Sequence, residues 1–316
     1  MTTTHPHGDW RAVSRFVRAC SSCNGRAVLS GISFLLLWSA CMQAQTAHFG
    51  HALSSLGSGF SQPTYAALDA SGNLYATDQG TRSVYELTAS SGYSTVKTLS
   101  THFGIPTGIA VDANANVFVT DQSVAGVYEL TASSNYATVI TLGSGFSNPN
   151  GVAVDANGNV FVADTLHNAI KEILAVSGSI PATNPTINTL GGSYNHPTSV
   201  AVDSSGNVFV ADLFNSAVKE IVATGGYTTV NTLGSGFSYP AGVAVDANNN
   251  VFVADSGNSS IKEILASGGY STVNTLVTGL PYSTGVVVNR AGNVFIASFS
   301  GAAVYELTLF GAVGFG

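Results

Sequence analysis

Apolar residues recur along this chain in short runs that return at a nearly fixed interval. The clearest copy, residues 149–164, reads PNGVAVDANGNVFVAD. The residue that follows the first apolar run of each copy is Asp69, Asp112, Asp155, Asp203, Asp246 or Asn289. These anchors are 43, 43, 48, 43 and 43 residues apart. A period of this length is typical of propeller blades and solenoid turns.

Each copy predicts four short strands. In the clearest copy the first three cover 151–154, 159–163 and 169–174, and residues 229–233 typify the fourth. The Asn-Gly pair between the first two strands predicts a type I′ hairpin, so neighbouring strands are antiparallel. The first two strands are apolar on both faces and therefore need other sheets to cover them. The pattern predicts an all-β protein, a six-bladed β-propeller of four-stranded antiparallel blades.

The two ends of the array predict how the ring closes. The sixth copy reaches its third strand at residues 304–307, close to the end of the chain. Before the first copy, residues 56–60 (LGSGF) match 142–146 and 233–237. We therefore expect residues 47–56 to supply the fourth strand of the sixth blade, which would remove the open edge of the ring.

The repeated sequence resembles that of the NHL family, whose blades read approximately PxGVAVD and then GNVYVAD. The resemblance covers residues 60–307 and implies a β-propeller, here of a secreted bacterial type. One departure concerns the arginine that the family usually has at the start of the third strand. The clearest copies have Ala169, Ala217 and Ser260 there.

The first 44 residues differ from the rest of the chain. Arg11, Arg15, Arg18 and Arg26 precede an apolar run at 27–38, the pattern of a cleaved secretory signal peptide. The run is shorter than the roughly 20 residues of a spanning helix. Alternatives are an uncleaved anchor and a lipid anchor at Cys41. We expect residues 45–316 to form one propeller that is secreted, periplasmic or on the cell envelope, with no membrane span after removal of the leader.

The composition beyond the leader limits the chemistry and the partners. All cysteines, methionines and tryptophans lie before residue 45, and residues 45–316 carry 6 basic and 16 acidic side chains, a net charge of −10. This balance argues against nucleic acid as a partner. We expect a monomer.

The acidic residues follow the repeat so closely that none remains for catalysis. Ten aspartates occupy the first turn or the end of the second strand, and six glutamates lie in the third strands. A ring of second-strand carboxylates that holds a cation is one interpretation, but a local hydrogen-bonded corner in each blade is favoured. The sequence therefore predicts no catalytic residue, no metal ligand and no cofactor.

Residues that depart from the repeat gather on one face of the predicted disc, formed by the links between blades and the turns after the second strands. There we expect His167 beside His196, with His102 at another junction, so that an interaction role is favoured over a zinc site. Tyr65 belongs to the same variable group. The candidate partner-binding residues are Arg82, His102, Phe103, Asn150, His167, Tyr194, His196, Phe214, Tyr239, Tyr282 and Phe299.

Exposed aromatic side chains favour contacts with peptides or glycans. We therefore predict a binding or scaffold module that recognises a protein or carbohydrate partner through this face, and we do not predict an enzyme. The alternative is a metal-dependent propeller enzyme of the lyase or lactonase type, with the metal in the central channel.

Overall fold

A computed structural model describes residues 51–309, which form six four-stranded antiparallel sheets. This confirms the predicted all-β, six-bladed propeller. The expected signal peptide and Cys41 lie outside the described residues. No helix within 51–309 is long and apolar enough to cross a membrane.

The strands follow one another in the order of the repeats. In chain order they are β1 (His51–Leu56), β2 (Pro63–Leu68), β3 (Leu74–Asp78), β4 (Ser83–Leu87), β5 (Val96–Ser100), β6 (Pro106–Val111), β7 (Val117–Asp121), β8 (Gly126–Leu130), β9 (Val139–Thr141), β10 (Pro149–Val154), β11 (Val160–Asp164), β12 (Ala169–Ile173), β13 (Ile187–Leu190), β14 (Pro197–Val202), β15 (Val208–Asp212), β16 (Ala217–Val222), β17 (Thr229–Leu233), β18 (Pro240–Val245), β19 (Val251–Asp255), β20 (Ser260–Leu265), β21 (Thr272–Thr278), β22 (Ser283–Val288), β23 (Val294–Ser298) and β24 (Ala303–Leu309).

Short 3-10 helices, each of three residues, occupy several of the connections. Three follow the second strand of a blade, at Thr165–His167, Leu213–Asn215 and Ser256–Asn258. Three others precede a fourth strand, at Ala89–Ser91, Ala132–Ser134 and Ala266–Gly268.

Blades one to five each use four consecutive strands, β2–β5 to β18–β21, and the sixth has the order β1-β24-β23-β22. In that last sheet His51 pairs with Leu309 and Leu56 with Val304. Residues 47–50 of the predicted closing strand lie outside the described part of the chain. Closure of the ring by this strand stays a prediction, which truncation tests below.

The core lies between neighbouring blades, as the two-sided apolar strands require. One cluster joins Phe118 and Val127 of blade two to Val152, Val160 and Ile173 of blade three. The first strands of successive blades contact one another around the ring, from β2·β6 to β2·β22. They therefore form the wall of a central channel.

The hairpin between the first and second strands differs from the expected type I′ turn. A type I′ turn needs positive φ angles at both central residues, but in residues 155–158 only Gly158 has a positive φ, of 85°. The reason is the aspartate at the start of the turn. Asp155 Oδ1 accepts hydrogen bonds from the backbone N–H groups of Asn157 and Asn159, at 2.9 and 2.8 Å. This side chain stabilises an Asx turn that a left-handed glycine then closes.

Candidate functional site

A cavity of about 570 Å³ opens at one mouth of the central channel. It lies on the turn face, the face formed by the turns at 79–82, 122–125, 165–168, 213–216, 256–259 and 299–302 together with the links that lead into the first strands. The first strands contribute an inner ring of lining residues, namely Thr64, Thr107, Asn150, Thr198, Ala241 and Thr284.

Tyr65 forms the floor of this cavity. The phenol crosses the channel from blade one, and its hydroxyl lies 2.8 Å from the carbonyl oxygen of Thr198 and 2.9 Å from that of Ala241. Tyr65 also lines a second cavity of about 190 Å³ between the first strands, so its ring separates the two spaces. Burial raises the pKa of the Tyr65 phenol well above its usual range, so the hydroxyl stays protonated and donates.

Glycine in other copies makes room for this tyrosine. Four of the other five blades have glycine at the equivalent position, and the fourth blade has Ser199. A Cβ on Gly151 would lie 2.6 Å from the Cα of Ser199, and one on Gly285 would lie 2.6 Å from the Cα of Tyr65. Backbone therefore meets backbone around the channel, and only a few side chains enter it.

A circle of hydroxyl groups ties each blade to the next. At least one hydroxyl group of each blade donates a hydrogen bond to a backbone carbonyl at the start of the next blade's first strand. The pairs, in order, are Thr64 to Thr107 at 3.1 Å, Thr107 to Pro149 at 3.1 Å, Thr165 to Pro197 at 2.8 Å, Thr198 to Ala241 at 3.0 Å, Ser256 to Ser283, and Thr284 to Thr64 at 2.6 Å. These protons are used within the protein, so the hydroxyls offer mainly lone pairs to a ligand.

Two kinds of wall rise above this circle. Over the first three blades the lining includes the carboxamides of Gln79, Gln122 and Asn150. Within residues 51–309 these three side chains make no hydrogen bond. A free carboxamide presents both donors and an acceptor. This side of the cavity can therefore bind a polar edge of a ligand.

The opposite wall, over blades four to six, is aromatic and aliphatic. Its apolar members are Leu213, Phe214, Tyr239, Tyr282 and Phe299, and Ser256 and Gly257 of the blade-five turn also line it. The rings of Phe214 and Tyr239 lie edge to face, with centroids 6.1 Å apart, and His196 lies against Phe214 at 4.4 Å. Phe214, Tyr239 and Tyr282 are 49, 53 and 66 % exposed. These rings are available to a ligand or a partner.

The aspartates at the ends of the second strands form one hydrogen-bonded corner per blade in blades one to five. All five are buried, and each accepts a hydrogen bond from a backbone N–H of the preceding link, as Asp164 does from Ser147 at 2.6 Å. For Asp121, burial alone would raise the pKa, but the side-chain and backbone donors around it outweigh burial and lower the pKa below its ordinary value. These carboxylates are therefore structural.

The arginine missing from the repeat is replaced by lysines at another position. Lys219 Nζ lies 2.7 Å from Asp212 Oδ2, and Lys262 Nζ lies 2.7 Å from Asp255 Oδ2. Both lysines are two residues beyond the position of the missing arginine. Because the carboxylates are fully buried, each lysine balances a charge that would otherwise be unpaired.

The histidines of the predicted face do not combine into one site. His167 Nδ1 lies 2.8 Å from Asp164 Oδ2, and the backbone N–H of His196 donates to Asn168 Oδ1 at 2.8 Å. His167 and His196 therefore share a junction, as expected. His102 is elsewhere, packed against Phe103 with ring centroids 5.9 Å apart. Across the described residues no three His, Cys, Asp or Glu side chains cluster as metal ligands would.

Two candidate residues belong to the core and not to the surface of the turn face. Phe103 is 3 % exposed and packs between blades one and two. Tyr194 is 7 % exposed, and Lys219 Nζ lies 5.1 Å from the centre of its ring. Both precede a first strand, where the sequence alone does not indicate whether a side chain turns inward. Arg82 is exposed but does not line the cavity.

The candidate residues predicted from the sequence did not include Gln79 and Gln122. A signal was present, because the residue after the second-strand aspartate varies between copies while the aspartate itself recurs. Tyr65 had a similar signal, since it occupies a position that is glycine in most copies.

The fold and the site together define a six-bladed β-propeller with an uncharged cavity at the mouth of its channel. The profile of the NHL repeat matches residues 146–172 and 237–264. These two segments are therefore NHL repeats, and they lie within a six-bladed β-propeller. No curated protein sequence matches it.

Several solved structures are similar to this chain at low sequence identity. A gluconolactonase from Xanthomonas campestris is 16 % identical, with 84 % of this chain and 93 % of that chain covered and a TM-score of 0.66. A streptogramin B lyase is 13 % identical, with 82 % and 98 % covered and a TM-score of 0.59. An auxiliary nutrient binding protein from Bacteroides thetaiotaomicron is 13 % identical, with 79 % and 69 % covered and a TM-score of 0.64. At these identities the likeness shows the fold alone.

The metal-dependent alternative can be tested against the lining of the cavity. Among the residues that the structure describes, no aspartate, glutamate or histidine lines the cavity. Its oxygen donors are neutral amides, hydroxyls and a phenol, whereas protein sites for divalent cations rely on carboxylate or imidazole ligands. The residues present do not fit a catalytic metal at this mouth of the channel.

Proposed function

We propose that this protein is a non-catalytic binding module whose turn face recognises a protein or carbohydrate partner. The observation that carries the proposal is the open, uncharged cavity with a wall of exposed aromatic side chains. Six of the eight exposed large apolar residues in the described chain lie on the turn face, namely Ile105, Val124, Leu166, Phe214, Tyr239 and Tyr282. Such a concentration on one face is the usual mark of an interaction site.

The chemistry of the cavity supports binding over catalysis. General acid and base catalysis needs a group that titrates near the working pH and can reach the reacting atoms. Within residues 51–309 the lining offers only amides, hydroxyls, apolar groups and tyrosine phenols. The nutrient-binding proteins among the structural neighbours are consistent with this proposal.

Binding arrays test the proposal. A double variant, Phe214→Ser with Tyr239→Ser, removes two adjacent rings of the turn face. The matched control is Val176→Ser, which alters a residue that is 64 % exposed in the hairpin between β12 and β13, outside the turn face. Labelled wild type and both variants are applied to a glycan array and a peptide array. We expect a set of ligands that wild type and control share and that the double variant loses. Identical patterns for all three proteins, or no ligand on either array, would contradict the proposal.

We also propose that residues 1–44 are a cleaved leader and that the propeller acts outside the cytoplasm. The basic and apolar pattern of these residues supports this. Intact mass of the protein recovered from the envelope and medium of an expressing bacterium tests it. A mass that begins near residue 45 is expected, and an unprocessed N-terminus would contradict the proposal.

A further inference from the structure

We propose that the cavity on the turn face binds an uncharged pyranose ring, a neutral hexose unit at the end of a glycan. This inference rests on the proposed binding function and names the ligand class. The size, charge, two walls and floor of the cavity support this ligand class.

The volume suits a small saccharide. A cavity of about 570 Å³ lies within the range of roughly 300–1,000 Å³ that small-molecule sites occupy. Tyr65 closes it below, so a chain cannot thread through the channel. The site therefore accepts an end of a glycan and not an internal segment passing through the ring.

The electrostatics exclude a charged sugar. Among described residues the lining carries no ionised side chain, and the nearby carboxylates of Asp78 and Asp121 are buried and already accept hydrogen bonds from backbone N–H groups. Moving a carboxylate, phosphate or ammonium group into such a site costs solvation without a compensating partner. A neutral ligand avoids this cost.

The two walls match the two kinds of surface of a pyranose. The ring has hydroxyl groups around its edge and C–H groups on its faces. The free carboxamides of Gln79, Gln122 and Asn150 can donate to and accept from the hydroxyls. Across the cavity, Tyr239 and Phe214 can pack against a C–H face, since aromatic rings combine a large apolar face with a negative quadrupole.

The floor adds a requirement for hydroxyl donors. The Thr198 hydroxyl donates its proton to the carbonyl oxygen of Ala241, and the Thr284 hydroxyl donates its proton to that of Thr64. These groups therefore present lone pairs towards the cavity, and a ligand must supply protons. A sugar has several hydroxyl protons to donate, whereas an apolar ligand of the same size has none.

Titration calorimetry of the full chain tests the inference. The probes are glucose, galactose, mannose and their β-linked disaccharides, each compared with a charged counterpart: glucuronic acid, galacturonic acid or glucosamine. We expect at least one neutral sugar to bind at least about tenfold more tightly than its charged counterpart. We expect Gln122→Ala to weaken that binding about five- to tenfold, the effect of one lost hydrogen bond. Tyr239→Ser should bind at least about fivefold more weakly.

The control is Asn157→Ala, which removes an exposed carboxamide from the hairpin at the other end of blade three. Its affinity should equal that of the wild type, and melting temperatures confirm that each variant is folded. Equal binding of charged and neutral sugars, or unchanged affinity of Gln122→Ala, would overturn the inference. If no sugar binds while peptides bind in a manner that depends on Phe214 and Tyr239, this inference fails and the proposed function stands. If neither array responds to the turn face, both fail.

Discussion

Replacing Tyr65 by phenylalanine removes one hydroxyl group from the centre of the channel and keeps the ring that floors the cavity. The hydroxyl bridges the carbonyl oxygens of Thr198 and Ala241, which lie on blades four and five, across the channel from β2. The residue is buried, with 8 % of its surface exposed. Tyr65→Phe therefore tests whether one phenol helps to hold opposite sides of the ring together.

The expected loss of stability follows from the two carbonyls. In the variant, the carbonyl oxygen of Ala241 still accepts a hydrogen bond from the Thr198 hydroxyl at 3.0 Å. The carbonyl oxygen of Thr198 loses the hydrogen bond that the phenol donated. A buried acceptor deprived of its donor costs about 1–3 kcal/mol. At roughly 2–4 °C per kcal/mol for a domain of this size, the melting temperature should fall by about 2–12 °C.

Calorimetric or circular dichroism melts measure this effect. The control is Tyr282→Phe, because Tyr282 is 66 % exposed and its hydroxyl makes no hydrogen bond within the described residues. We expect the control to melt within about 1 °C of the wild type, as surface substitutions usually do. If Tyr65→Phe also melts within that range, the phenol does not stabilise the ring, which would contradict this prediction.

Four further predictions concern the scaffold. Gly151→Ala should lower the free energy of unfolding, measured in urea, by about 2 kcal/mol or more, because the new Cβ would lie 2.6 Å from the backbone of the next blade. The control Gly192→Ala, which has open space around it, should leave the free energy of unfolding unchanged. Lys262→Met should cost about 3 kcal/mol by unpairing a buried aspartate, whereas Lys171→Met, whose lysine bonds only a threonine hydroxyl, should cost less than about 1 kcal/mol. Removal of β1 should cost at least about 3 kcal/mol if that strand closes the ring, and unchanged melting would contradict closure. Because burial raises the pKa of phenols such as that of Tyr65, the folded state favours their neutral form. The urea midpoint should be steady between about pH 8 and pH 10 and fall above about pH 10, and a midpoint that stays flat from pH 10 to about pH 11.5 would refute this.

The fold could be predicted from sequence because its determinants are periodic. A period of 43 residues with apolar runs of four or five specifies strand number, strand order and two-sided burial. The recurrence of the second-strand aspartates similarly indicated a structural corner, and the contacts of Asp164 and Asp255 bear this out. The hairpin type was predicted wrongly because the Asn-Gly pair was weighed without the Asp155 side chain, which bonds the turn from its first position.

The site was less accessible to sequence reasoning because its residues meet only after the ring has formed. Gln79 and Gln122 are 43 residues apart and line the same cavity. Phe103 and Tyr194 are aromatic residues of the kind that often bind partners at a surface. In the structure, however, both side chains are buried between blades. Neither outcome depends on a local pattern; both depend on how six sheets close around a channel.

The division of the cavity into two walls cannot be attributed to the needs of the fold. The features that hold the ring recur from blade to blade: a buried carboxylate corner, a hydroxyl donated to the next blade, and a small residue beside the channel. The carboxamide and aromatic side chains of the two walls make none of these contacts, and an exposed ring such as that of Tyr282 adds little to stability because most of it stays in water. Yet carboxamides line the cavity over blades one to three, and aromatic rings line it over blades four to six. Random substitution at the variable positions would not place amide and aromatic side chains on opposite sides of the cavity. This separation therefore argues that the turn face is under selection for a ligand with one polar side and one apolar side.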